Sequence, residues 1–230
     1  RHAEEIISSA RYTGAIGEIE TAVRKMPIFL FPGKSSSNPN LDVVQQVCNT
    51  YFDRLLGADG RWQYHPLATK IKTSGLTADF RKTFGTAPDR LTVQAEVQFG
   101  NMSRWYSDIF KFQAAYSQNV IQLGLSIVPM RSLSTRIDSN IVNFERVKRE
   151  LPAALLSITL PILVIGIEPD SSTSVYDLST CGFPGGLKDI VVEKMEDNRY
   201  RIVDGYLRGA PESTIGPSSK VGFKPKPKSK

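Results

Sequence analysis

The apolar positions of this chain recur with two periods. Between residues 3 and 26, Ile6, Ile7, Ala10, Ile16, Ile19, Ala22 and Val23 fall three or four apart, with Gly14 and Gly17 as weak points. That spacing predicts a helix with one buried face, and Pro27 ends it. A polar loop follows through Pro32-Gly33 and Ser35 to Pro39. A second amphipathic helix is predicted from Leu41 to about Leu56, its stripe formed by Val43, Val44, Val47, Tyr51, Phe52 and Leu55. Gly57 to Gly60 reads as a turn. Residues 75–80 read as a short strand carrying Asp79. In 91–101, Leu-Thr-Val-Gln-Ala-Glu-Val-Gln-Phe-Gly-Asn, the period drops to two. Alternate side chains of a strand leave opposite faces, so Ala95, Val97 and Phe99 share one face while Glu96 and Gln98 share the other.

The helical period returns over 103–118, where Trp105, Ile109, Phe112 and Ala115 mark the buried side. Residues 119–129 form a strongly apolar strand that Pro129 closes, and 130–141 read as a polar loop. A helix from about Ile141 to Leu151 ends at Pro152. Residues 159–167 are apolar without interruption, which suits a strand in the middle of a sheet. The run Cys181-Gly-Phe-Pro-Gly-Gly is turn chemistry, because it lacks the lysine of a phosphate loop. A hairpin is predicted over 189–206, turning near Glu196 to Asn198. The order predicts a mixed α/β domain over 1–219, a central sheet flanked by helices with a C-terminal β-hairpin region.

Charge changes this picture at one end only. The net charge is +6, and the last eleven residues supply five lysines, at 220, 224, 226, 228 and 230, so the rest of the chain is close to neutral. The tail 220–230 is too polar to bury a core and is expected to be mobile. It would attract a polyanion, or serve only as a solubilising tail. No apolar run reaches membrane length, and residues 1–7 do not have the make-up of a signal peptide. Cys48 and Cys181 fit no metal spacing and read as two free thiols in a cytoplasmic protein.

Candidate chemistry narrows on what is scarce. With only His2 and His65, sites built on imidazole bases or clustered imidazole ligands are excluded as unlikely designs. Carboxylates remain, and these select Mg²⁺-like cations. A glutamate fixed on a strand with an amide two residues on is what a metal-dependent nuclease needs. The same pattern is also common on a solvated sheet face.

The segment Ala95-Glu-Val-Gln-Phe-Gly-Asn101 resembles the catalytic strand of the BglII and BstYI group of type II restriction endonucleases. The likeness extends through Tyr106-Ser-Asp-Ile-Phe110, Ile127-Val-Pro-Met-Arg-Ser-Leu-Ser134, Phe144-Glu145 and Leu163-Val-Ile-Gly-Ile167, and includes Glu18-Ile-Glu20 and Lys25-Met-Pro27. The wider superfamily carries an aspartate, a glutamate and usually a lysine two residues later. This branch has glutamine there, as Gln98 does.

The resemblance implies a homodimer that cuts double-stranded DNA at a GATC-centred palindrome, in a bacterial or archaeal cell holding a cognate DNA methyltransferase. It implies that Asp79, Glu96 and the backbone carbonyl of Val97 hold Mg²⁺, with Mn²⁺ as a substitute, and that Gln98 is catalytic. It also implies base contacts by Asn101, Ser139 and Asn140. Ser139-Asn140 fits an N-cap of the following helix equally well. Lys70, Lys72, Arg81 and Lys82 are candidate phosphate contacts or plain surface charges.

Asp79 resembles the family's aspartate but lies farther from Glu96 than in relatives, which is resolved if Arg81 to Pro88 loop out. The rival, Asp89, lies about 23 Å from Glu96 along an extended strand, too far to share a cation. A catalytically inactive DNA-binding protein of the same fold is the alternative function, and a scaffold without nucleic acid the third.

Overall fold

The computed structural model describes residues 2–12, 14–58, 61–153, 159–222, 224 and 225. The chain runs α1 (Ala3–Ile7), α2 (Ala15–Arg24), β1 (Ile28–Leu30), α3 (Gln45–Gly57), β2 (Gln63–Tyr64), β3 (Phe80–Phe84), β4 (Leu91–Val97) and α4 (Met102–Ser117). It continues with β5 (Leu123–Pro129), α5 (Arg131–Ile137), α6 (Phe144–Ala153), β6 (Ile162–Ile167), β7 (Val175–Asp177), α7 (Lys188–Val191) and α8 (Glu196–Leu207).

Five strands form one sheet in the order β2-β3-β4-β5-β6. The β2, β3 and β4 strands are antiparallel neighbours, and β4, β5 and β6 run parallel. Parallel neighbours need a crossover, and α4 makes the first while α5 and α6 make the second. A separate parallel pair joins β1 to β7.

The two faces of β4 and β5 differ in chemistry. Val93, Ala95, Val97, Leu123, Leu125 and Ile127 enter the main core with residues of α2 and α3 such as Ile19, Val47 and Phe52. On the other face, Val128 packs with Trp105, Ile109 and Phe112 of α4, while Gln94, Glu96 and Ser126 are buried polar residues on that same side. Gly124 lets α4 lie close, because a Cβ there would sit 3.0 Å from the Phe112 ring. The sheet therefore offers α4 a polar stripe set in an apolar frame.

Several expected elements differ. The helix expected over 3–26 is instead two helices, α1 and α2, with a 3-10 turn at Ala10–Tyr12 between them. Residues 130–141 contain α5, whose Leu133 and Ile137 are buried one turn apart. Residues 81–84 belong to β3 rather than to a looped-out insertion. β6 is an edge strand, not a central one. Its apolar run is continuous because Leu163 and Ile165 face the main core while Ile162 and Val164 face the α4 side.

The hairpin expected at 189–206 is helical, as α7 and α8. Alternation of Arg199 and Arg201 with Tyr200 and Ile202 imitates a strand. The buried set Asn198, Ile202 and Gly205, with Tyr200, Val203 and Asp204, instead has helical spacing, and the nearly buried Asp204 carboxylate takes Arg54 of α3 at 2.6 Å. Of the basic tail, Gly222 N–H reaches Asp204 Oδ2 at 2.5 Å. Lys224 pairs with Asp197 and lies 5.2 Å from the Tyr200 ring centre. Lys226, Lys228 and Lys230 lie outside the described residues, as do 59 and 60 of the turn expected at 57–60. Both cysteines are buried and free.

Candidate active site

The β3–β4 hairpin sets the geometry. Phe80 pairs with Ala95 and Phe84 with Leu91, so the residues just before Phe80 and just after Ala95 meet at one end of the ladder. Asp79 N–H points to Glu96 Oε2 at 3.4 Å, and Asp79 Oδ2 accepts from Val97 N–H at 2.9 Å. The gap between Asp79 and Glu96 is taken up by two strand arms and the turn at 85–90. Asp89 lies in that turn, exposed, and its partner is Arg11 at 3.4 Å.

Glu96 is fully buried. Its Oε1 accepts from Gln94 Nε2 at 3.0 Å, and its Oε2 meets Lys111 Nζ of α4 at 2.6 Å. Lys111 also reaches Asp108 Oδ1 at 2.8 Å. Gln98 Nε2 donates to Asp108 Oδ2 at 3.0 Å, while Gln98 Oε1 accepts from Gly100 N–H at 2.8 Å. A carboxylate on one side and an N–H on the other leave the Gln98 amide one orientation.

Burial raises the carboxyl of Asp79 to about 6, with Asp108 adding to it and Lys111 and the Val97 N–H opposing. Burial and the neighbouring Asp79 charge push Glu96 well above the usual carboxylate range, against the pull of Lys111. Burial lowers Lys111, but Glu96, Asp108 and Asp79 outweigh it and hold the ammonium above its ordinary value.

Two desolvated carboxylates on a rigid hairpin fit a hard cation that accepts oxygen ligands. Among the described residues no group of three or more His, Cys, Asp or Glu side chains forms a metal cage. A cation here would therefore rest on the Asp79–Glu96 pair, a backbone carbonyl, water and a substrate phosphate, which is the Mg²⁺ manner of binding.

Asp79 lines a cleft of about 450 Å³ with Asp53, Tyr64, His65, Gln98, Arg104, Asp108, Lys111 and Glu196 among others, while Glu96 lies buried behind it. Asp53 is raised to about 8 by burial and by the charges of Asp79 and Glu196. His65 is lowered by burial and by Lys111 and stacks on Tyr64 with ring centres 3.9 Å apart.

Asp108, Lys111, Asp53 and His65 are absent from the sequence reading of the site. One signal was present: Asp108 falls within the apolar stripe of α4, between Trp105 and Phe112, where an acid needs a partner, and Lys111 follows one turn later.

The three base-reading candidates come together at the start of α4. Asn101 is the N-cap of α4, its Oδ1 accepting from Arg104 N–H at 3.1 Å and from Ser103 Oγ at 2.6 Å. An isolated bridge joins Asn101 to Ile141, and Met102 N–H donates to Asn140 O at 3.3 Å. Asn101, Ser139 and Asn140 are all exposed. Ser139 bonds only to the neighbouring Asp138 carboxylate among the described residues.

The N-cap of α6 is Asn143, whose Oδ1 takes Arg146 N–H at 2.9 Å, and not Ser139-Asn140. Of the basic candidates, Lys70 and Lys72 are exposed. Arg81 is tied to Leu67 O and Gln94 Oε1, and Lys82 to Glu18 at 2.7 Å.

The site is thus an α/β sheet with two carboxylates at the end of its β3–β4 hairpin and a polar loop rim beside them, and comparison with known proteins gives it a class. The sequence model of the family described as restriction endonuclease BglII/BglIII matches residues 1–167. The chain belongs to that family of type II site-specific deoxyribonucleases. Among solved structures, restriction endonuclease BglII complexed with a DNA 16-mer matches with a TM-score of 0.58 at 18% identity, covering 75% of each chain. Free BglII matches with a TM-score of 0.49 at 19% identity, covering 75% of this chain and 78% of that one. A search of curated proteins returns no match.

Proposed function

We propose that the chain acts as a homodimer that hydrolyses both strands of DNA at a short GATC-centred palindrome, using Mg²⁺ held by Asp79, Glu96 and the Val97 carbonyl. The observation that carries this reading is the meeting of Asp79 and Glu96 at the end of the β3–β4 ladder, the Asp79 backbone N–H 3.4 Å from Glu96 Oε2, with Asp79 on the wall of a cleft. When bound, the cation, Mg²⁺ or Mn²⁺, supplies Lewis-acid stabilisation of the phosphate and eases deprotonation of water.

Gln98 cannot act as a base, since an amide is not basic. With one N–H spent on Asp108 and one lone pair on Gly100 N–H, it keeps one donor and one acceptor site to orient the attacking water. Asn101 retains its amide N–H₂ for adenine N7, and Asn140 and Ser139 present further polar groups to the major groove. The GATC core rests on the family resemblance as a whole.

The homodimer is supported by symmetry, because a palindrome presents the same half-site twice. It is also supported by Tyr106 and Phe110 on α4, 47% and 63% exposed one turn apart. The same reading pairs the nuclease with a cognate methyltransferase in the cytoplasm of a bacterium or archaeon. No described helix is long and apolar enough to cross a membrane.

Digestion of plasmid DNA in Mg²⁺ tests the reading. Discrete bands are expected. A mobility shift without cutting would instead mean a DNA-binding protein of this fold, and neither result would mean a scaffold.

A further inference from the structure

The superfamily lysine position is filled by Gln98, yet an ammonium still stands at Glu96. It arrives from α4, on Lys111, whose side chain is only 15% exposed. Lys111 Nζ bridges two carboxylates, Glu96 Oε2 at 2.6 Å and Asp108 Oδ1 at 2.8 Å. The Glu96 oxygen it holds is the one that Asp79 N–H also faces, so the ammonium occupies the side of Glu96 that is turned to the other proposed ligand.

A buried carboxylate without a counter-charge is costly, and Lys111 meets that need. An ammonium and a divalent cation on one carboxylate oxygen repel each other at short range. Asp108 gives the ammonium a second place to rest. It is itself buried and fixed by Gln98 Nε2 on its other oxygen, so it stays put whichever partner Lys111 keeps.

We propose that Lys111 is the built-in counter-ion of the metal site: it neutralises Glu96 in the metal-free protein, yields Glu96 Oε2 to the incoming divalent cation, and retires onto Asp108. The inference rests on the reading of Asp79 and Glu96 as metal ligands. Lys111 is a positioning residue, acting through Glu96. The arrangement makes metal binding an exchange of one cation for another.

The test is Mn²⁺ binding to the full chain without DNA, followed by electron paramagnetic resonance of the free ion, for wild type, Lys111→Met and Lys111→Arg. Lys111→Met, which keeps the length and removes the charge, is expected to bind Mn²⁺ about tenfold more tightly or better. It should also melt lower than wild type in chelator and gain more from saturating Mn²⁺. Lys111→Arg should stay close to wild type. A folded Lys111→Met protein that binds Mn²⁺ no more tightly than wild type overturns the proposal.

Should Lys111→Met fail to fold in chelator, wild-type crystals soaked in Mn²⁺ decide the matter. Lys111 Nζ is expected beyond hydrogen-bond distance of Glu96 Oε2 with its Asp108 bond kept, and an unbroken Lys111–Glu96 bond beside a bound Mn²⁺ overturns the proposal. Wild type that cuts DNA while Lys111→Met binds no more tightly defeats the counter-ion inference alone. If neither protein binds Mn²⁺ and wild type does not cut, the metal reading itself fails.

Discussion

Asp79 and Glu96 face each other at the open end of the β3–β4 hairpin, with Asp79 N–H 3.4 Å from Glu96 Oε2. The pairing of Phe80 with Ala95 fixes this meeting, so neither side chain depends on a mobile loop for its place. Asp79→Asn keeps an oxygen that can accept the Val97 N–H bond and removes one ligand charge. The fold and DNA binding should therefore hold while cleavage falls by more than the about 10–100-fold that loss of a group merely supporting a ligand costs. Asp89→Asn, in the exposed turn, should cut as wild type does. Comparison of single-turnover rates checks both, and reversed outcomes would move the site to the turn.

Gly100 protects the orientation of Gln98. A Cβ at residue 100 would come within 2.5 Å of Gln98 Oε1, and the flexible end of Gln98 is what must give way. Gly100→Ala should fold normally and bind DNA, yet cut about 10–100-fold more slowly. Equal rates for Gly100→Ala and wild type would show that the Gln98 amide has no part in the reaction.

Asn101 combines a structural and a reading role, and two substitutions separate them. Asn101→Ala loses the α4 cap and should cost about 1 kcal/mol of stability. Asn101→Ser keeps a capping oxygen but not the amide. Both should lose cognate cleavage far more than non-specific affinity, because phosphate contacts are untouched. Filter-binding and cleavage assays on cognate and random duplexes check this, and parallel losses on both duplexes would leave only the cap.

Stability should fall with rising pH when no divalent cation is present. Asp79 is held near 6 and Asp53 near 8 against an ordinary value of 3.8. A carboxyl raised in the folded state keeps its proton there after the unfolded chain has lost it. Unfolding free energy therefore drops as pH climbs from about 4 towards 8. Asp53→Asn should flatten the upper part of that decline, between 6 and 8. Urea unfolding in chelator at several pH values measures it, and a variant with the wild-type slope would remove Asp53 as the cause.

The strand over 91–97 and its two faces were legible because alternation of Val93, Ala95 and Val97 with Gln94 and Glu96 has a single reading. The α4 stripe and β5 were legible for similar reasons. The β3 arm was not, since Arg81 and Lys82 mask a strand whose polar side chains are tied to Gln94 and Glu18. The helical 189–206 segment was misread because two arginines alternate with Tyr200 and Ile202. Lys111 reaches Glu96 from a different element, and no short motif spans a strand and a helix that meet only after folding.

The most direct measurement is cleavage of a defined duplex containing a GATC-centred palindrome by wild type and Glu96→Gln, each in Mg²⁺ and in excess chelator. Wild type in Mg²⁺ should cut both strands at that site, and neither protein should cut in chelator. Glu96→Gln should shift the duplex on a gel and leave it whole. Site-specific cutting by wild type in chelator, or by Glu96→Gln in Mg²⁺, would contradict a carboxylate-held cation at the Asp79–Glu96 pair.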